Sequence, residues 1–150
     1  MEKKVLIIYG STTGNTQMCS QYVKEGLEEA GISNITVKNV LDAQIKDLDE
    51  YEYIIFGCST WDLGALQYDF EPFHEELSDY DLATKKVAVF GCGDEAYEDS
   101  YCAAIHTIED TIKKQGGHII YKNLPINSDF TDEKLEEIKD WGKKIGEQIK

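Results

Sequence analysis

The sequence predicts an α/β fold: a doubly wound, five-stranded parallel sheet with helices on both faces. Two observations carry this. The runs Val5 to Tyr9, Tyr53 to Cys58 and Val87 to Cys92 are continuously apolar rather than alternating, as strands buried on both faces must be. The stretches between and after them carry apolar residues at helical spacing. Strands that alternate with helices need crossover connections, and these are right-handed, which covers both faces of the sheet.

Each element follows in order. After the first strand, a helix over Asn15 to Ala30 gathers Met18, Tyr22, Val23 and Leu27 on one face, and Gly31 ends it. From Asn34 to Val40, Ile35, Val37 and Asn39 alternate with Thr36 and Lys38, which suits an edge strand. Strands three and four are the runs at 53–58 and 87–92. Ile105, Ile108 and Ile112 mark a helix, and Ile119 to Tyr121 a short fifth strand. Leu135, Ile138, Trp141, Ile145 and Ile149 share one face of a last helix, so Trp141 is expected in the core.

A chain of 150 residues that is 41% hydrophobic matches one domain spanning 1–150, with no Pro/Gly/Ser-rich linker and no repeat. No apolar run approaches the ~20 residues of a membrane span, and Met1-Glu2-Lys3-Lys4 leads straight into a strand, so a cytoplasmic location is expected. Cys19, Cys58, Cys92 and Cys102 lack CxxC spacing, and His74, His106 and His118 form no ligand pattern. Reduced thiols and no metal site are expected. The net charge of −14 and a pI near 4.5 oppose binding to nucleic acid or anionic lipid and favour partners with basic surfaces. All 15 basic side chains are Lys, which excludes arginine-finger chemistry within this chain.

The segment Ser11-Thr12-Thr13-Gly14-Asn15-Thr16 joins the first strand to a helix N-terminus. There the unpaired amides and the positive end of the helix dipole can hold a phosphate, helped by hydroxyls and without a cation. The segment has neither the Gly-Lys-Ser/Thr of a Walker A loop nor the spaced glycines of a dinucleotide fingerprint. The competing reading is a turn with a helix cap, which favours the same residue types.

Two further loops follow strands three and four: Gly57-Cys58-Ser59-Thr60-Trp61-Asp62 and Gly91-Cys92-Gly93-Asp94, with Tyr97 just beyond. Their small residues let backbone come close to a ligand. Large aromatics on loops are costly unless they cover something flat. Beside a phosphate loop, at the carboxyl ends of the strands where such sheets bind ligands, they describe a flat phosphorylated cofactor.

On these three motifs the sequence resembles a short-chain flavodoxin along essentially its whole length. The resemblance implies the strand order 2-1-3-4-5 and bound FMN. Ser11, Thr12, Thr13, Gly14, Asn15 and Thr16 would form the phosphate loop, with Ser59 and the Trp61 indole N–H adding donors. Ser59, Thr60, Trp61 and Asp62 match the first flavin loop, and Cys92, Gly93 and Asp94 through Tyr97, Ser100, Tyr101 and Cys102 the second. Trp61 and Tyr97 would sandwich the isoalloxazine, the backbone of Asp94 and Cys102 would face its pyrimidine edge, and the Ser100 carbonyl would accept from N3–H. The function implied is a low-potential, one-electron carrier and not an enzyme, docking as a monomer through an acidic rim onto a basic reductase and acceptor.

Acids in the flavin loops should lower the second potential. A carboxylate ~10 Å from the reduced flavin at an effective dielectric of ~20 disfavours the anion by about 1.7 kcal/mol, or ~70 mV. Asp62, Asp69, Asp94, Glu95, Glu98 and Asp99 are such acids. The chain also departs from the family. Where the residue after Trp61 is often Gly, it has Asp62, then Leu63, then Gly64, in a loop about two residues short. A flipped peptide there costs a non-Gly residue about 1 kcal/mol, so the two potentials are expected to lie closer together. An Asp62→Gly variant with unchanged separation would contradict this.

Two rivals differ in class. An FMN-dependent two-electron oxidoreductase acting on a quinone-type substrate would share the fold, but the chain has no second nucleotide motif and little room for a substrate domain. A receiver domain of the response-regulator type needs acids after the first strand, where Ser11 to Thr16 stand instead.

Overall fold

Val5, Leu6, Ile7 and Ile8 are wholly buried because their strand is central. This strand, β1 (Lys4–Gly10), pairs in parallel with β2 (Asn34–Asn39) on one side and with β3 (Tyr53–Cys58) on the other. The structure, a computed structural model, describes residues 3–10, 14–61, 65–93, 102–127 and 129–149, with only the main chain at 61 and 65. Beyond β3 comes a two-stranded antiparallel ribbon, β4 (Thr60–Trp61) with β5 (Ala65–Leu66), that sequence patterning did not indicate. The next strand, β6 (Lys86–Gly93), pairs in parallel with β3. On its far side it pairs with β7 (His118–Ile119) and β8 (Leu124–Asn127), which share the fifth position. The sheet therefore has the expected order 2-1-3-4-5.

The fifth strand is a correction. It was expected over Ile119 to Tyr121, but the chain leaves the ladder at Ile120 and returns at Leu124. Between the two paired stretches β6 uses residues 88–89 while the edge uses 120–123, so two extra residues bulge outward. The bulge is anchored at both flanks. The Trp141 indole N–H donates to the Lys122 carbonyl at 2.8 Å, and the Asn123 amide donates to Glu109 at 2.9 Å.

The period-two pleat sends alternate side chains to opposite faces. Val5, Ile7, Ile55, Ala88 and Phe90 meet α1 (Asn15–Glu29) and α4 (Asp132–Ile149). Leu6, Ile8, Ile54, Phe56, Val87 and Val89 meet α2 (Glu71–Leu77) and α3 (Ala103–Lys114). Trp141 lies in the first of these layers, 3% exposed, edge-on to Phe90. The helix α2 was not foreseen. It has seven residues, too few for a helical period to stand out, and starts with Pro72 in its first turn.

Helices α1 and α4 touch through glycine. A Cβ at Gly142 would collide with the Val23 carbonyl, and one at Gly26 with the backbone of Lys139 and Lys143. This contact fixes α1, whose N-terminus faces the carboxyl edge of the sheet.

Candidate functional site

The parallel strands β1, β3 and β6 all end at that edge, and side chains tie the described residues just beyond them together. The helix α1 opens on Gly14 in the left-handed conformation (φ 92°), with no acid in its first turn. An acid-free N-terminus of a 15-residue helix attracts an anion through its dipole and first amides. Thr16, fully buried in that first turn, places its hydroxyl 2.6 Å from the hydroxyl of Ser59 after β3.

The second loop is a hairpin. Thr60 pairs with Leu66 and Trp61 with Ala65, and the Gln67 N–H donates to the Ser59 carbonyl at 3.0 Å. Gln67 is wholly buried, and a Cβ on Gly10 would run into its side-chain oxygen, so β1 must end on glycine for this residue to fit. Thr60 is also tied to the third loop, because its hydroxyl accepts the Ala104 N–H at 3.0 Å and caps α3. Cys102 precedes α3 in the left-handed region (φ 52°), the one non-glycine residue with positive φ among the described residues. Its thiol donates to the Gly91 carbonyl at 3.5 Å and contacts the Ile126 carbonyl at 3.8 Å, drawing the end of that loop against β6 and β8.

Of the residues selected from sequence, the structure brings Gly14, Asn15, Thr16, Ser59, Thr60, Cys92, Gly93 and Cys102 to this edge. Ser11, Thr12, Thr13, Asp62, Asp94, Tyr97, Ser100 and Tyr101 lie outside the described residues, as does the side chain of Trp61. Two readings change. The glycines at 57 and 91 were expected to admit a ligand, but they serve packing within the protein. A Cβ on Gly57 would strike the Phe90 ring, and one on Gly91 would lie 2.5 Å from the Cys58 carbonyl oxygen. Cys92 is 3% exposed and its thiol faces Cys19 of α1 at 3.7 Å, so what it can offer a ligand is main chain.

All four thiols are free and buried. Burial, partly offset by the Gln67 N–H, pushes Cys58 up to about 12. The hydrogen bond with Cys92, then burial, raises Cys19 far above the ordinary thiol value, while that same bond lowers Cys92. Among the described residues no cluster of three His, Cys, Asp or Glu could hold a metal ion, and no helix is long and apolar enough to cross a membrane.

The family model for flavodoxin matches residues 7–142. The flavodoxin of Maridesulfovibrio salexigens is 42% identical over 149 residues, covering 97% of this chain and 99% of that one. The chain belongs to the flavodoxin family. The solved structure of oxidised flavodoxin 2 from Bacillus cereus superposes with a TM-score of 0.87 at 33% identity, over 95% of this chain and 96% of that one. A Fusobacterium nucleatum flavodoxin solved with flavin mononucleotide bound has the same fold, with a TM-score of 0.83 at 19% identity, over 95% and 96% of the two chains. Flavodoxins are FMN-dependent electron carriers and not enzymes, so the two-electron oxidoreductase is the less favoured alternative.

Sequence reading missed Gln67 and Cys19. Nothing in the local pattern marks a glutamine between Leu66 and Tyr68 as buried. The apolar face chosen for α1 skipped Cys19, although it lies one position from Met18 and four from Val23.

Proposed function

We propose that residues 1–150 act as a single FMN-binding domain, a monomeric cytoplasmic carrier that passes electrons one at a time between redox proteins. The observation that carries this is the meeting of Thr16 and Ser59 at the acid-free N-terminus of α1. Two hydroxyls and the first-turn amides suit a phosphate dianion, which explains how an FMN phosphate is held without a lysine.

In this reading Ser11, Thr12, Thr13, Gly14, Asn15, Thr16 and Ser59 hold the phosphate. Trp61 and Tyr97 cover the ring. Main chain at Asp62, Cys92, Gly93, Asp94, Ser100, Tyr101 and Cys102 lines its edges, while Thr60 braces the first flavin loop against α3. Bound FMN supplies two successive one-electron steps, and the protein's share is orientation, water exclusion and a field of nearby acids.

Partners dock beside the hairpin. Leu41 and Tyr68, 68% and 81% exposed, are the large hydrophobic residues left in solvent among the described residues. They line one groove of about 680 Å³ together with Asp69, Glu71 and Glu75. An apolar centre framed by acids fits a reductase or acceptor whose own apolar patch is framed by lysine and arginine.

Titrating the FMN-free protein with FMN and with riboflavin, followed by flavin fluorescence, tests the site. FMN binding one to one, and far more tightly than riboflavin, is expected. Equal affinity for the two would remove the phosphate site, and failure to bind either would overturn the function.

A further inference from the structure

Beneath the phosphate loop lies a run of polar side chains that electron carriage does not use. The Ser59 hydroxyl meets that of Thr16 at 2.6 Å, and three positions further along α1 the Cys19 thiol meets that of Cys92 at 3.7 Å. The two sulfurs belong to α1 and β6, 73 positions apart in sequence. Cys19 stands in the second turn of α1, and Cys92 is the last residue but one of β6. The remaining thiols are engaged otherwise, Cys58 with the Ser59 carbonyl and Cys102 with those of Gly91 and Ile126.

We propose that Cys19 and Cys92 form a reversible disulfide with a hydroperoxide as oxidant, and that this bond loosens the grip on FMN. The second half of this proposal rests on the phosphate site described above. A disulfide needs its sulfurs about 2.05 Å apart, so closure from 3.7 Å asks the pair to move by less than 2 Å in all. The chemistry balances in two steps. The Cys92 sulfur attacks the peroxide, forming a sulfenic acid and releasing the reduced oxygen fragment as water or alcohol. Cys19 then attacks the Cys92 sulfur, the S–S bond forms as the S–O bond breaks, and the hydroxyl leaves with the Cys19 thiol proton as water. Two thiols are oxidised and one peroxide is reduced.

Either thiol of the pair can donate to the other across 3.7 Å, and the contact with Cys19 favours the Cys92 thiolate, which makes Cys92 the nucleophile. Closure pulls on α1 at Cys19, about one turn past Thr16, whose hydroxyl meets that of Ser59 at 2.6 Å. Exposures of 0% for Cys19 and 3% for Cys92 mean the oxidant enters only when the site opens. Linkage requires reciprocity: if the disulfide weakens FMN binding, FMN disfavours the disulfide by the same factor.

FMN-free and FMN-loaded protein are treated with hydrogen peroxide, quenched with a maleimide, and read by intact mass and peptide mapping. A loss of about 2 Da, a crosslinked peptide pair holding Cys19 and Cys92, reversal by dithiothreitol and faster reaction without FMN are expected. Cys19→Ala and Cys92→Ala should each abolish the crosslink. The oxidised protein should bind FMN about ten-fold more weakly than the reduced protein, the scale of one lost hydrogen bond. Overoxidation without a crosslink, or linkage of Cys92 to Cys58, would overturn the pair. A disulfide with unchanged FMN affinity would overturn the coupling. Reduced protein that fails to take FMN would instead refute the proposed function, and the masses would still decide the pair.

Discussion

Thr16 and Ser59 lie 43 positions apart in sequence, yet their hydroxyls stand 2.6 Å from each other. The contact joins the first turn of α1 to the loop after β3, and it exists because β1 and β3 are paired neighbours, Gly10 opposite Cys58. Removing one hydroxyl while keeping the shape tests its share in holding the phosphate. Thr16→Val should weaken FMN binding about ten-fold, equivalent to about 1.4 kcal/mol. Fluorescence titration checks this, and unchanged affinity would assign the pair to packing alone.

Lys85 is buried at the opposite edge of the sheet, where its ammonium donates to the carbonyls of Leu48 and Tyr51 at 2.6 and 2.7 Å. Lys85→Met fills similar space but leaves both carbonyls without their charged donor. A loss of about 2–3 kcal/mol is expected, read as a melting temperature lower by roughly 5–10 °C. FMN affinity should not change, since the site lies at the other ends of the strands.

Much of this was legible in the sequence, for physical reasons that also mark what was not. Past the lysine that opens β1 and the one that opens β6, the strands β1, β3 and β6 are buried on both faces, so no charged position interrupts the pattern. The helix α4 shows its face because one side of its 18 residues remains in water. The split of the fifth strand was hidden because it depends on anchors far away, Trp141 and Glu109, and not on its own residues. At the candidate site, the segment Ser11 to Thr16 stands out in the sequence by its composition. Gln67 and the Cys19–Cys92 contact do not, because burial and a partner 73 positions away are properties of the folded chain.

Asp47 links stability to pH. The Gln44 N–H, followed by the Lys38 ammonium at 3.2 Å, holds its carboxyl below the ordinary value of 3.8. A depressed carboxyl contributes stability that is fully present above the unfolded value and is lost as pH falls through the lower folded one. Chemical denaturation at pH 5 and pH 3 should therefore show a loss on acidification that is smaller in Asp47→Asn. An identical pH dependence in the variant would contradict this.

Docking through Leu41 and Tyr68 predicts a separation of effects. With both replaced by Ser, electron transfer from a basic reductase should slow several-fold while stability stays within about 0.5 kcal/mol, because both side chains are already in solvent. Raising ionic strength should slow the wild-type reaction as well, through screening of the acidic frame. A rate indifferent to both changes would place docking elsewhere.

The most direct measurement is an anaerobic redox titration of the FMN-loaded protein, followed by absorbance. Two successive one-electron steps, the second at low potential, are the result expected of a carrier that holds FMN among acids at the carboxyl edge of this sheet. A single two-electron step at a potential near that of free flavin would contradict the one-electron role.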